Sequence, residues 1–185
     1  MTRGQKLLAA VGALLLAVYW GMVLEITGAS PANFFIIRDF ARSADLALIP
    51  FRDLADVLGT GDLRNICLQI GGNVALFGPL GFLVPVCWPG WRRAGRTIAL
   101  GLGMSLLIEL CQLFNWRATS VDDLLLNTLG AALGFACYWL LARLIPALRV
   151  QGSCPQRLPV WIMLAVWGVY IGLECWWIGS HWVGW

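Results

Sequence analysis

The chain has 185 residues, of which 59% are hydrophobic and only 12% charged, for a net charge of +3; its mean hydropathy is +0.76. Soluble domains carry about 45–50% apolar and about 25% charged residues, so this composition excludes an ordinary soluble domain and leaves an integral membrane protein. The length suits a single membrane domain over residues 1–185, and no nucleic-acid partner is expected.

A bilayer core about 30 Å thick needs roughly 20 apolar residues of helix, and five stretches qualify. The predicted fold is therefore all-α: a polytopic transmembrane helical bundle of about five spans. The first span, over 7–26, follows a basic start with Arg3 and Lys6. It holds Tyr19 and Trp20 and lacks a small-residue cleavage site, so it reads as a retained span rather than a signal peptide. The segment 27–65 mixes Phe34, Phe35, Ile49 and Phe51 with charges, which suits an interfacial amphipathic helix, a re-entrant piece or an ordered outer loop. The second span, over 66–87, contains Asn73, Pro79 and Pro85, and Pro79 predicts a kink. The third covers 97–114, the fourth 124–145 and the fifth 158–179. Trp176, Trp177, Trp182 and Trp185 near the last boundary read as an aromatic belt.

Lys and Arg set the orientation. With the N-terminus inside, Arg3, Lys6, Arg92, Arg93, Arg96, Arg143, Arg149 and Arg157 lie on the cytoplasmic side. Arg38, Arg42, Arg52 and Arg64 on the long segment 27–65, and Arg117 in the link 115–123, fall outside, and the C-terminus is placed outside. The six cysteines (Cys67, Cys87, Cys111, Cys137, Cys154 and Cys175) form no CxxC pair, and His181 is the one histidine. Neither a disulfide framework nor a metal site is expected, and no cofactor is implied.

Ionisable groups within a span are expensive, so each marks a candidate site. Glu25, Asn73, Glu109, Asp122, Asp123, Asn127 and Glu174 all fall in one shallow layer below the outer surface. On the third span Gly101, Ser105, Glu109 and Gln112 share a face. On the fourth, Asp123, Asn127, Gly130 and Gly134 do the same, and Gly130 with Gly134 makes a small-xxx-small pattern for close helix approach. The short link 115–123 makes these two spans antiparallel neighbours. Glu109 and Gln112 can then face Asp123 and Asn127, with Arg117 placed to neutralise part of the cluster. The predicted polar pocket is Asn73, Glu109, Gln112, Arg117, Asp122, Asp123 and Asn127. The bland alternative for all of them is a polar network that fixes helix packing.

The same residues carry a resemblance. Ile49-Pro50-Phe51, the stretch from Asn73 to Pro85 with Phe77, Pro79 and Gly81, the Ser105/Glu109/Gln112 helix, and Arg117 followed by Asp122-Asp123 and Asn127-Thr128-Leu129-Gly130 resemble the ordered motifs of the VanZ-like family. The resemblance covers about residues 50–138. It implies a multi-pass protein of the bacterial cytoplasmic (inner) membrane acting at the cell envelope, in a family named for a teicoplanin-resistance protein. It brings no settled catalytic mechanism.

Three functions compete at this stage. The favoured one is a non-enzymatic factor binding a lipid or lipid-linked glycan at the outer leaflet. Glu109, Asp122 and Asp123 would accept hydrogen bonds, Arg117 would hold a phosphate, and Asn73, Gln112 and Asn127 would orient the ligand. The second is an enzyme using Glu109 as base and Asp123 as acid on a lipid-linked substrate. The third is a small transporter or flippase subunit, joined to a copy of itself or to an envelope protein partner.

Overall fold

The computed structural model describes residues 3–29, 46–112, 119–148 and 156–182. Five helices in it are long and apolar enough to cross a membrane: Ala9–Thr27, Leu63–Cys87, Ala94–Gln112, Val121–Leu144 and Leu158–Trp177. We label the elements in chain order: α1 (Arg3–Thr27), β1 (Leu46–Ala47), α2 (Arg52–Gly59), α3 (Leu63–Ile66), α4 (Gly72–Cys87), α5 (Ala94–Gln112), β2 (Thr119–Ser120), α6 (Val121–Leu144) and α7 (Leu158–Trp182). A π-helical turn, Cys67–Gly71, joins α3 to α4 into one continuous span.

Two boundaries differ from the sequence reading for local reasons. The second span starts at Leu63 rather than 66, because Asp62 caps it by accepting the Arg64 amide at 3.0 Å. The fourth starts at Val121 rather than 124, because Ser120 caps it and accepts the Asp122 amide at 3.2 Å. The apolar run marks where lipid begins, whereas the cap marks where the helix begins. In the segment 27–65, α2 is an amphipathic helix, one of the forms the sequence left open; residues 30–45 of that segment lie outside the described residues. Helix α4 continues through both Pro79 and Pro85.

Large apolar side chains face outward along the bundle, among them Leu14, Val18, Leu106, Leu133 and Leu140. Water would penalise such a surface, but hydrocarbon does not. Packing inside lipid gains little from hydrophobic burial and depends on close approach. That approach is tightest between α4 and α6. A Cβ on Gly130 would run into the Val74 carbonyl, one on Gly134 into the Gly78 carbonyl, and one on Gly81 into the Ala131 carbonyl. Pairing 74 with 130 and 78 with 134 makes the two helices run parallel. The small-xxx-small pattern of α6 thus serves its contact with α4, while α5 packs against α6 from another side through Gly101 and Ala131.

Aromatic side chains fill the centre. Trp20 of α1 meets Phe77 of α4 edge-on with ring centroids 6.3 Å apart, and meets Trp167 of α7 at 6.1 Å. Leu80, Val84, Trp88, Met104 and Ile108 complete this core. Trp20, Trp88 and Trp167 are therefore core residues, while Trp176 and Trp177 stay exposed at the far end of α7, where the belt was expected.

Candidate functional site

The end of α1 at Thr27, the last described residue of α5, Gln112, and the start of α6 at Val121 all lie at one end of the bundle. Helix ends leave backbone groups without partners inside the helix. The side chains at this end satisfy them. Gln112 Nε2 donates to the Thr27 carbonyl at 3.0 Å, and Trp167 Nε1 donates to the Ala29 carbonyl at 2.9 Å. Helices α5 and α7 are thereby tied to the end of α1. Glu109 Oε2 accepts the Ser120 amide at 3.1 Å, which sets a carboxylate at the positive end of α6.

Outside this layer α2 is fastened to the start of α6. Asp122 Oδ1 accepts the Phe51 amide and Oδ2 accepts the Leu54 amide at 2.9 Å. In return, Ser120 Oγ donates to Asp53 Oδ2 at 2.6 Å. A two-residue parallel ladder, Leu46 with Thr119 and Ala47 with Ser120, runs beside it. Phe51 sits at φ +65°, a left-handed conformation that costs a non-glycine residue about 1–2 kcal/mol. The bond to Asp122 offsets that cost.

Beneath the fastening lies a cavity of about 350 Å³, within the range of about 300–1,000 Å³ common for small-ligand sites. Its floor is polar: Asn73 of α4, Glu109 and Gln112 of α5, and Asp123 and Asn127 of α6. Leu76 and Ile108 add apolar surface to its lining. Its rim holds Ile26 of α1 and Leu68 of the π turn, which are 56% and 62% exposed. The π turn, a form often found at functional sites, carries Leu68 onto that rim just before Asn73.

Hydrogen bonds within the floor are directional. Asn73 Nδ2 donates to Asp123 Oδ1 at 2.5 Å, and Asn127 Nδ2 donates to Ser105 Oγ at 2.9 Å. Gln112 Oε1 and Asn127 Oδ1 are buried without a partner. Among the described residues no three His, Cys, Asp or Glu come together as a metal site.

Five of the seven residues singled out in the sequence line this cavity together. Asp122 is not among its lining residues, because consecutive residues of a helix point to different sides and the carboxylate of Asp122 turns to α2. Arg117 lies outside the described residues. Glu25 and Glu174 are not among its lining residues either. The sequence reading missed Ser120, Asp53, Thr27 and the rim. Ser120 had a signal, since a serine three residues before Asp123 has the form of a capping box. Asp53 had none, because its contact to Ser120 spans 67 residues.

With this geometry in place, the comparisons with known proteins add one positive finding. The chain matches the VanZ/LLP1 family model over residues 11–142. No curated protein and no solved structure matches it. The matched stretch contains every lining residue of the cavity.

Proposed function

The chain belongs to the VanZ/LLP1 family, and from that premise we propose that it binds the headgroup of a membrane amphiphile, a lipid or lipid-linked glycan, in the cavity at this end of the bundle. The carrying observation is the cavity's split character. A polar floor of Asn73, Glu109, Gln112, Asp123 and Asn127 stands behind an exposed apolar rim of Ile26 and Leu68. A headgroup fits the floor, and its acyl chain leaves past the rim into the bilayer.

The distribution of basic residues supports the orientation of this end toward the outer leaflet. Arg92, Arg93, Arg96 and Arg143 cluster at the opposite end, as cytoplasmic ends do. A place in the bacterial cytoplasmic membrane agrees with the family. Lowered susceptibility to teicoplanin would follow where the bound amphiphile is part of what the drug meets at the surface. The cavity residues gather at one end only, which favours binding over passage across the membrane.

Native mass spectrometry of gently purified protein tests this reading, beside Glu109→Gln and Asp123→Asn variants. A defined amphiphile held by the wild type and lost from folded variants is expected. Bulk lipid alone, or the same ligand on all three proteins, would assign the floor to helix packing.

A further inference from the structure

Beyond the headgroup cavity, we infer that the opposite end of the bundle holds a second site, a basic pocket for the phosphate of an anionic membrane lipid. Two arginines from distant parts of the sequence, Arg96 and Arg157, line one cavity there of about 440 Å³.

The pocket is built around a turn. Helix α4 ends at Cys87, and a 3-10 turn, Pro89–Trp91, leads on to α5. The start of α5 takes up the carbonyls of that turn. Arg96 Nη1 donates to the Gly90 carbonyl at 2.9 Å, and Thr97 Oγ1 donates to the Trp91 carbonyl at 2.6 Å. The start of α7 is fastened to the same turn. Trp91 Nε1 donates to the Gln156 carbonyl, and a Cβ on Gly90 would meet the Gln156 side chain. Arg157, the next residue, is thereby brought to the cavity that Arg96 lines.

The pocket gathers positive charge and no negative charge. Among the described residues none that lines it is acidic. The sequence has no Asp or Glu from 63 to 108 or from 124 to 173, the stretches that carry the two arginines. Both arginines also stand at helix starts, Arg96 in the first turn of α5 and Arg157 just before α7, where the helix dipole disfavours a cation. Both are exposed, so water screens part of the repulsion, and an anion between them removes the rest. Arginines that serve only to orient the chain need no shared cavity; Arg93, exposed at the same end, lies outside this one. A guanidinium held through one N–H keeps its others to offer, in a plane that matches phosphate oxygens.

The rest of the lining points to a lipid rather than a free ion. Ala99 and Leu100, one turn further into the spanning helix, put apolar surface directly below Arg96. Trp91 adds an indole of the kind that settles at headgroup level. Basic pockets between spanning helices hold anionic headgroups in this way. Phosphatidylglycerol has such a headgroup, whereas the phosphate of phosphatidylcholine is offset by its own cation.

The test reconstitutes the full chain in vesicles of phosphatidylcholine with a minor share of phosphatidylglycerol. Native mass spectrometry of the re-extracted protein reads the lipid that stays bound. Phosphatidylglycerol should be retained above its share. Arg96→Gln and Arg157→Gln should each lower that preference about fivefold, the worth of one basic residue at an anionic surface. Arg93→Gln removes the same charge outside the pocket and should keep the preference, as should Glu109→Gln at the other end. Should Arg96→Gln fail to fold, Arg157→Gln beside Arg93→Gln decides.

Retention of the two lipids in proportion to their share would overturn the inference. An equal loss in Arg93→Gln would overturn the pocket and leave diffuse surface charge. Inorganic phosphate that displaces the lipid at matched concentration would overturn its assignment to a lipid. Loss of phosphatidylglycerol in Glu109→Gln would place that lipid in the polar cavity and overturn this second site, with the headgroup-binding reading left standing.

Discussion

Asp122 and Phe51 meet across 71 residues of sequence, the carboxylate of the one accepting the backbone amide of the other. Its second oxygen takes the Leu54 amide. One side chain in the first turn of a spanning helix therefore caps a separate amphipathic helix and sets α2 above the cavity. None of the residues of α2 is fully buried and only Asp53, Leu54 and Val57 are half-buried, so this junction adds to slight packing in holding it in place.

That makes Asp122→Asn a local change. An amide side chain has one oxygen for the two N–H groups, so one cap is lost, at a cost of about 1 kcal/mol. Amides of Arg52–Gly59 should exchange with solvent deuterium roughly fivefold faster, while those of α4 and α6 keep their protection. Uniform loss of protection would mean that Asp122 supports the whole bundle.

The α4–α6 seam should tolerate no added carbon. Gly134→Ala drives a Cβ into the Gly78 carbonyl, and overpacking of this kind costs about 1–3 kcal/mol. Gly168→Ala, on a stretch of α7 with open space around it, should leave the unfolding temperature in detergent unchanged or slightly raised. Equal effects at the two positions would show that the close approach is not made.

The Ser105–Asn127 pair separates stability from binding. Replacing both partners by apolar groups, Ser105→Ala with Asn127→Leu, removes a buried hydrogen bond together with an unmet acceptor. Such a double replacement is close to neutral or stabilising when partners leave together. The variant should melt at or above the wild-type temperature and bind no headgroup. A large loss of stability would mean that the pair serves packing.

Orientation has its own measurement. A cysteine introduced at Thr60, exposed beside the cavity end, should react with a membrane-impermeant maleimide in intact cells. One introduced at Arg93, exposed at the other end, should react only after the membrane is opened. The reverse pattern would place the cavity at the inner leaflet.

Much of this molecule was legible in the chain itself. Spans follow from runs of apolar residues, because hydrocarbon penalises every unsatisfied backbone group and leaves the helix as the local solution. The polar layer was legible for the same reason, since Asn73, Glu109, Asp123 and Asn127 stand out where polarity is costly. Helical periodicity then put Glu109 with Gln112 and Asp123 with Asn127 on single faces. The closeness of α4 and α6 left its mark in Gly130 and Gly134.

Tertiary structure alone decided how those residues divide their work. Asp122 and Asp123 are adjacent and alike in chemistry, yet one fastens α2 and the other lines the cavity. Which carboxylate does which depends on the rotation of α6 against partners far away in sequence. The buried, unpartnered oxygens of Gln112 and Asn127 were equally invisible, because an amide in a sequence carries donors and an acceptor alike. Only the position of the Thr27 carbonyl, brought up by a different helix, determines that the amide nitrogen of Gln112 turns to α1 and its oxygen away from it.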